Sequence, residues 1–246
     1  MKNKVAVCLM TRDEHFYLRE FIDYYKALGV DDIILYDNEP KKPVDIQEEG
    51  VIVVNWPIHP VQNVTKAYCD CAIRFKDQYK WIGFFDSDEY LILKQHNNIK
   101  DFLAEYENHP AVGINWLCFG SSDIDVHVSH KDYNRHCDFE HPVNRHVKSI
   151  LKPEYLTVHG PDPHVMIRGT VDTNHNPING PFSDFKNDKA YVKHCIMRTK
   201  EDYMKKAGWG RIDIPTAKEN TFRSPEKWDE HYITFNCSTK EEKIWM

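Results

Sequence analysis

The chain has 246 residues, of which 41% are hydrophobic and 13% aromatic, so one large domain with a sizeable core is expected. Its formal net charge of −6 gives no electrostatic basis for binding nucleic acid. The apolar run near the N-terminus is too short for a signal peptide, and no segment approaches the length of a membrane span. The seven cysteines lack the paired spacing of a structural zinc site and favour reduced thiols. We therefore expect a soluble cytoplasmic protein with no integral membrane segment.

The part of the chain before Gly120 alternates between apolar, strand-like runs and segments with helical periodicity. Strands are predicted at 5–10, 32–36, 51–54, 81–85 and 111–117, and helices at 14–28, 64–79 and 99–107. Residues 44–49 are predicted to form a single helical turn. Strands that alternate with helices at this spacing predict β-α-β units. The fold class is therefore α/β, with a mostly parallel central sheet and helices on both faces.

The sequence changes character after Gly120. Residues 121–190 are rich in His, Asp, Asn and Pro, and short pieces at 147–151 and 165–167 predict small antiparallel strands between long loops. The chain then continues as a strand, a helix and an irregular tail with a final helical turn, at 191–197, 200–207 and 208–246. A small antiparallel, loop-rich C-terminal part is therefore expected at the end of the sheet.

The apolar segment Trp81–Phe85 ends directly in the acidic run Asp86-Ser87-Asp88-Glu89. Two carboxylates at i and i+2 on an extended backbone point to the same side, roughly 6–7 Å apart. At the carboxyl end of a buried strand, such a pair can bind Mg²⁺ or Mn²⁺ together with the phosphates of a nucleotide. Asp123-Ile124-Asp125 has the same form, and the buried strand in front of Asp86 is what distinguishes the first triplet.

Polar clusters follow three of the predicted strands. Thr11–Glu14 follows the first strand, Asp37-Asn38 the second, and Asp86–Asp88 the fourth, so a parallel sheet would bring them to one rim. Asp37 could accept a hydrogen bond from a base or ribose, and Arg12 could contact phosphate. No glycine-rich phosphate loop follows the first strand, which argues against a dinucleotide-binding domain and a P-loop enzyme. A metal is thus expected to hold the diphosphate.

Several short segments recur in the order found in one group of enzymes. They are Glu20–Tyr25, Leu28–Val30, Tyr36–Asn38, Trp56-Pro57, Gln62, Ala67-Tyr68, Trp81, Asp86–Tyr90, Asn115–Ser122, Val147–Ile150, Asp162–His164, His194 and Arg198–Glu201. On these segments the chain resembles the GT-A-fold glycosyltransferases of family 2 and, more closely, glycosyltransferase family 92. The resemblance implies a single GT-A domain over residues 1–211, with residues 212–246 as a C-terminal tail packed on it. It also implies a nucleoside-diphosphate-sugar donor (a UDP-sugar is expected), Mn²⁺ or Mg²⁺ as cofactor, and inversion at the anomeric carbon.

The expected site residues follow from the strand ends and from this resemblance together. The expected metal ligands are Asp86, Asp88 and His194. The expected nucleotide-sugar-binding residues are Arg12, Asp37, Asn38, Gln62, Asp86 and Lys148. The acceptor hydroxyl needs a base, for which Asp123 is the first candidate and Asp125 and Asp162 are the next. Lys193 and Cys195 beside His194, and Asp123 in place of a glycine, depart from the family pattern.

Two other functions use similar residues. A sugar-1-phosphate nucleotidyltransferase has a related sheet and metal, but it needs a glycine-rich phosphate loop, which Thr11–His15 is not. A non-catalytic domain that binds a nucleotide sugar or a partner is the other alternative, and the intact Asp86 and Asp88 speak against it. The leading hypothesis is a metal-dependent inverting glycosyltransferase that acts on a saccharide or lipid-linked acceptor in surface polysaccharide synthesis, with at most peripheral membrane contact.

Overall fold

A nine-stranded sheet forms the centre of the computed structural model, which describes residues 3–38, 42–57, 63–156, 167–208 and 223–238. Its strands are β1 (Val5–Thr11), β2 (Asp32–Asp37), β3 (Val51–Asn55), β4 (Trp81–Phe84), β5 (Glu89–Leu93), β6 (Ala111–Cys118), β7 (Val147–Leu151), β8 (Thr170–Val171) and β9 (Ala190–His194). Its α-helices are α1 (His15–Ala27), α2 (Asn63–Arg74), α3 (Ile99–Ala104), α4 (Lys200–Gly208) and α5 (Trp228–Phe235).

The order of the strands brings most of their carboxyl ends to one edge of the sheet. The order is β3-β2-β1-β4-β7-β6-β9-β5, with β8 beside β6. The pairs among β1, β2, β3 and β4 are parallel, and β6 runs parallel to β9. Strand β7 is antiparallel to both β4 and β6, and β5 is antiparallel to β9. The predicted α/β class, with a mostly parallel sheet and a smaller antiparallel part, is confirmed.

The alternation of side chains along the central strands produces two cores, one on each face of the sheet. Val7 of β1 belongs to the core that includes α1 and α3, whereas its neighbour Cys8 belongs to the core that includes α2. On α1 the buried side chains repeat at helical spacing, and Gly29 adopts φ +94° directly after the helix. Helices therefore cover both faces of the sheet, as predicted.

Several local predictions differ from the structure, and helix α3 ends at Ala104 rather than at residue 107. Residues 44–49 form no helical turn, and the Val44 amide at their start donates a 2.7 Å hydrogen bond to the Asp37 carboxylate. Helix α2 ends at Arg74 rather than at residue 79, since a turn follows it. Strand β9 ends at His194 rather than at residue 197. Strand β5 was not predicted, although all five of its residues are buried.

The described C-terminal part contacts the rest of the chain through α5. Trp228 and Phe235 of this helix belong to the core on the α1 face. The boundary expected at residue 211 lies outside the described residues, so the division into a domain and a tail stays a prediction. No helix within the described residues has the length and apolar character that crossing a bilayer requires.

Candidate functional site at the carboxyl edge of the sheet

The acidic run after β4 forms a tight turn. The Glu89 amide donates to the Asp86 carbonyl (3.0 Å), and the Glu89 carboxylate accepts from the Asp86 amide (2.9 Å). The expectation of an extended backbone here was wrong, because the chain reverses at this point to enter β5. The turn leaves Asp88 only 2% exposed, while 44% of the Asp86 side chain remains exposed. One carboxylate of the triplet is therefore buried and the other reaches the surface.

The Asp86 carboxylate is held by a buried cation. Lys148, the second residue of β7, lies 2.8 Å from one carboxylate oxygen, and the Tyr68 hydroxyl donates to the other at 3.2 Å. Burial is the largest single influence and raises the pKa of this carboxyl, but the charge and hydrogen bond of Lys148, together with His194, lower it to below its ordinary value. Asp86 is therefore an anion at neutral pH.

The Asp88 carboxylate lies between a lysine and a histidine. Lys206 of α4 donates to one oxygen at 2.7 Å, and Nε2 of His194, at the end of β9, lies 3.7 Å from the other. Burial raises the pKa of Asp88, but the Lys206 charge and other nearby cations hold it well below the ordinary value. The Asp88 carbonyl also accepts the Cys195 amide at 2.8 Å, which fixes the turn against β9.

His194 is a neutral imidazole in these surroundings. Burial lowers the pKa of its side chain to about 3, more than the neighbouring Asp88 raises it. The ring lies 4.5 Å from the Trp116 ring, and Nδ1 contacts the Cys118 sulfur at 3.9 Å. A neutral imidazole beside a carboxylate is a donor pair that a divalent cation can use.

Glu89 adds a third carboxyl group at the same place. It is completely buried, and one oxygen lies 3.2 Å from the Lys148 ammonium. Its other oxygen, Oε1, is buried without a hydrogen-bond partner among the described residues. Burial raises the pKa of Glu89 to about 8, and Lys148 offsets this only in part. The Lys148 ammonium thus forms ion-pair contacts with both Asp86 and Glu89.

Arg198 links the acidic turn to α1. Its guanidinium donates to the Ser87 carbonyl at 2.6 Å and lies 3.5 Å from the Glu14 carboxylate. The backbone of Arg198 has φ +51°, a left-handed conformation that costs energy for a residue with a side chain. Lys206 also lies 3.3 Å from Glu14. The carboxylates at this edge are therefore balanced by cations from several elements.

The donor set fits a hard divalent cation in its chemistry. Asp88 and His194 are already neighbours, and Asp86 lies at the same edge and points to Lys148. In the described parts of the chain, however, no three His, Cys, Asp or Glu side chains are close enough together to bind a metal ion. Because Mg²⁺ is usually held by one or two carboxylates plus substrate phosphates, a pair of protein ligands is sufficient.

The sequence-predicted nucleotide residues at β1 and β2 reach the same edge. Thr11 pairs with Asp37, so Arg12 follows at the end of β1 beside the end of β2. The buried Asp37 accepts the Val44 amide, and the Asn38 amide group donates to the Trp56 carbonyl at 2.6 Å. Both side chains thus also bind the backbone of neighbouring segments, at Val44 and at Trp56. Gln62 lies outside the described residues.

Asp123, the first candidate for the base that deprotonates the acceptor, lies on the surface after β6. Asp123 follows the end of β6, where its carboxylate lies 2.7 Å from Arg135 and accepts the hydroxyl proton of Tyr232. It has φ +61° and a side chain that is 47% exposed. Asp162 lies outside the described residues. The role of either residue as a base stays a prediction.

Glu14, Glu89 and Lys206 belong to the site but were absent from the predicted set. Glu89 had a signal, since it continues the acidic run directly after Asp88. Lys206 had none, because it approaches Asp88 from a helix 118 residues later in the chain.

The carboxyl edge of this mixed α/β sheet thus gathers acids, a histidine and cations. The family model of glycosyltransferase family 92 matches residues 3–187, which is more than half of the chain. The chain therefore belongs to glycosyltransferase family 92.

Plant proteins of the same family are the relatives found by sequence. A family 92 protein of Arabidopsis thaliana is 30% identical over 176 residues, which cover 64% of this chain and 30% of that protein. One of Ricinus communis is 29% identical over 174 residues, covering 63% of this chain and 29% of that protein. The chain thus spans about 30% of the length of these relatives.

The solved structures are less similar. A 4-diphosphocytidyl-2C-methyl-D-erythritol synthase from Anaerococcus prevotii is 11% identical, with a TM-score of 0.32 over 51% of this chain and 59% of that chain. Rv0371c from Mycobacterium tuberculosis is 11% identical, with a TM-score of 0.33 over 76% of this chain and 96% of that chain. A likeness at this level carries no functional argument.

Proposed function

We propose that this chain is a metal-dependent glycosyltransferase domain, which moves a sugar from a nucleoside-diphosphate sugar to an acceptor hydroxyl with inversion at the anomeric carbon. The observation that carries the proposal is the Asp88–His194 pair, with Asp86 beside it, at the edge where the strands end. A UDP-sugar is the expected donor, and the acceptor is a saccharide or a lipid-linked saccharide. Surface polysaccharide synthesis in the cytoplasm, with peripheral membrane contact, is the proposed setting.

The proposed chemistry divides among the residues of this edge. Mn²⁺ or Mg²⁺ held by Asp86, Asp88 and His194 would supply Lewis-acid stabilisation of the departing diphosphate. Lys148, Lys206 and Arg198 place positive charge at the same edge, which favours the binding of an anion.

The remaining predicted residues would orient the donor. In this proposal Arg12 meets a phosphate, while Asp37 and Asn38 lie at the end of β2 where a base or ribose would be bound. Gln62 belongs to the same proposed set. Binding the diphosphate at one edge fixes the anomeric carbon before the acceptor attacks, which supplies much of the catalytic effect through positioning.

Isothermal titration with a panel of UDP-sugars, with and without MnCl₂, tests this function. We expect binding that requires Mn²⁺ and is lost in the Asp86→Ala/Asp88→Ala variant. Asp101→Asn, an exposed aspartate on α3, is the matched control and should bind as the wild type does. Binding that needs no metal and survives the double alanine variant would contradict the proposal.

Release of UDP in the presence of saccharide acceptors separates an enzyme from a binding module. Metal-dependent donor binding without any release would favour the non-catalytic alternative. Formation of a nucleotide sugar from a sugar 1-phosphate and a nucleoside triphosphate would favour the nucleotidyltransferase instead.

A further inference from the structure

A chain of short hydrogen bonds connects α4, α1 and the segment that follows β6. The Tyr17 hydroxyl of α1 donates its proton to the Asp202 carboxylate of α4. Nδ1 of His127 lies 2.6 Å from the same hydroxyl and 3.3 Å from the same carboxylate oxygen. Tyr17 and Asp202 thus meet the same nitrogen of the His127 ring.

These contacts determine which nitrogen of His127 carries the proton. A carboxylate can only accept, and Tyr17 has one proton to donate. Burial and the bond to Asp202 raise the pKa of Tyr17, so its hydroxyl stays protonated. Since that proton points to Asp202, Nδ1 of His127 must be the donor toward Tyr17 and Asp202. Nε2 of the neutral ring therefore has the free lone pair.

Asp202 is itself held rigidly at the start of α4. The Thr199 hydroxyl donates to its carboxylate at 2.8 Å, and the Asp202 amide donates back to the Thr199 oxygen at 3.1 Å. The bond from the Asp202 amide to the Thr199 hydroxyl is the N-cap bond typical of a helix N-terminus. The orientation of His127 is therefore fixed by a structured helix end rather than by a surface side chain.

His127 shares a cavity with the residues that hold the acidic turn. This cavity of about 80 Å³ is lined by Tyr17, His127 and Asp202 and also by Arg198 and Lys206. Arg198 contacts Ser87 and Lys206 contacts Asp88, and the Arg198 guanidinium lies 3.5 Å above the Tyr17 ring. The His127–Tyr17–Asp202 hydrogen bonds and the acidic turn thus border the same cavity through Arg198 and Lys206.

A larger surface cavity begins on the other side of His127. It has a volume of about 640 Å³ and lies between α1 and residues 127–131, and its lining includes Phe16, Arg19, Asp23 and His127. Phe16 is 63% exposed, and its ring lies 4.7 Å from the His127 ring. An exposed aromatic ring beside charged hydrogen-bonding groups is suited to a saccharide. Phe16 and His127 line both cavities, so they stand at the junction.

We propose that His127 is the general base of the glycosyl transfer, with Tyr17 and Asp202 as its positioning residues. This inference rests on the proposed function. As the acceptor oxygen forms its bond to the anomeric carbon, its proton moves to Nε2 of His127. The bond from the anomeric carbon to the diphosphate breaks, and the nucleoside diphosphate leaves with the electron pair. The imidazolium that forms is stabilised by the adjacent Asp202 carboxylate.

Asp123, the base candidate from the sequence, has a different environment. Its carboxylate pairs with Arg135 and accepts the hydroxyl proton of Tyr232. His127 has the advantage of a fixed tautomer and of a cavity shared with Arg198 and Lys206. Turnover of the His127→Ala and Asp123→Asn variants therefore distinguishes the two candidate bases.

The test compares His127→Ala, Tyr17→Phe and Asp123→Asn with the wild type. Donor affinity is measured by titration of a UDP-sugar with MnCl₂, and turnover by UDP release with a panel of mono- and disaccharide acceptors. We expect His127→Ala to bind the donor within about threefold of the wild type but to lose roughly 100-fold to 10,000-fold in turnover. Added imidazole should restore part of that loss.

The positioning role of Tyr17 has its own signature. Tyr17→Phe should lower kcat with little change in the KM for the acceptor, since the base remains but its orientation is less fixed. His175→Ala is the control, because that histidine is exposed and lies near the opposite edge of the sheet, beside β8.

Three results would overturn the assignment. The first is turnover by His127→Ala at the wild-type rate. The second is a loss of turnover in Asp123→Asn that exceeds the loss in His127→Ala. A loss in His127→Ala that accompanies weakened donor binding and does not respond to imidazole would assign a structural role. Wild-type protein that binds no donor at all would overturn the proposed function, and this inference with it, so the two failures are distinguishable.

Discussion

The chain contains two Asp-x-Asp triplets, Asp86–Asp88 after β4 and Asp123–Asp125 after β6, in contrasting surroundings. Asp88 of the first triplet is 2% exposed and lies between Lys206 and His194. Asp123 of the second is 47% exposed and pairs with Arg135 on the surface. The same three-residue pattern thus gives one buried carboxylate, Asp88, beside the half-exposed Asp86 in the first triplet, whereas both carboxylates of the second triplet are exposed.

The neighbouring elements explain this contrast. Strand β4 lies between β1 and β7, so the turn after it is surrounded by strands and by α4. After β6 the chain leaves the sheet through Ser122 and Asp123, both with positive φ, and it is held by α5. A carboxylate can stay buried as an anion where several elements converge on it, because cations and a histidine then surround it at low exposure.

The largest effect of a single substitution is expected for donor affinity when Asp88 of the first triplet is changed to Asn. Asp88→Asn removes the buried charge, and we expect a loss of metal-dependent donor affinity of about 3 kcal/mol or more, roughly 100-fold. The fold should persist, because Lys206 keeps its contact with Glu14. Asp123→Asn should change donor affinity far less, whatever its effect on turnover. Titration with a UDP-sugar and MnCl₂ measures the donor affinity of both variants. Equal losses of affinity in Asp88→Asn and Asp123→Asn would show that the two triplets do not differ in donor binding.

The close packing of Gly120 against α5 should give the next largest effect. A Cβ at Gly120 would lie 2.5 Å from the Asn236 side chain, which accepts the Ser122 amide at 2.7 Å. We expect Gly120→Ala to lower the free energy of unfolding by about 1–3 kcal/mol. Because Asn236→Ala removes the clash, the double variant should be less destabilised than the sum of the single ones. Additive losses in urea denaturation would contradict this explanation.

The anchor of residues 129–130 on α1 makes stability depend on pH. Burial raises the pKa of Glu20, but the bonds from His130 and Ser129 outweigh it and lower the pKa from 4.5 to about 2. The unfolded chain then binds more protons than the folded one between these values, so the stability that Glu20 supplies above pH 4.5 is lost as the pH falls toward 2.

Glu20→Gln tests this anchor. The variant should be less stable than the wild type by about 2 kcal/mol at neutral pH, since it loses charge-assisted hydrogen bonds. The difference should shrink between pH 4.5 and 2, as measured by urea denaturation at each pH. Two stability curves that stay parallel through this window would show that the Glu20 charge is not what holds residues 129–130.

The smallest effect is expected at the surface of the second triplet. Tyr232→Phe removes the hydroxyl that donates to Asp123 but leaves the Arg135 pair in place. Because this group is exposed, the free energy of unfolding should fall by less than about 1 kcal/mol. A loss as large as that of Gly120→Ala in the same urea assay would mean that the second triplet is more strongly coupled to α5 than its exposure indicates.

Local patterns predicted the elements that form from nearby residues. The apolar stripe of α1 and the buried run of β4 were found because helical period and continuous apolar character are visible within one segment. Strand β5 was missed, because it follows the acidic run without a break and its partner β9 lies about 100 residues later in the chain. The helical turn predicted at 44–49 was wrong, and the Val44 amide there instead donates to the Asp37 carboxylate, a contact that is not visible within the segment.

The sequence by itself determined that acids follow a buried strand in an α/β fold, because strand burial and its abrupt end are local properties of the chain. Only the tertiary structure decided that Lys148, His194 and Lys206 surround those acids, and that Asp123 stays on the surface. The physical reason is that the charge state and exposure of a carboxylate depend on its neighbours in space, and here those neighbours come from β7, β9 and α4.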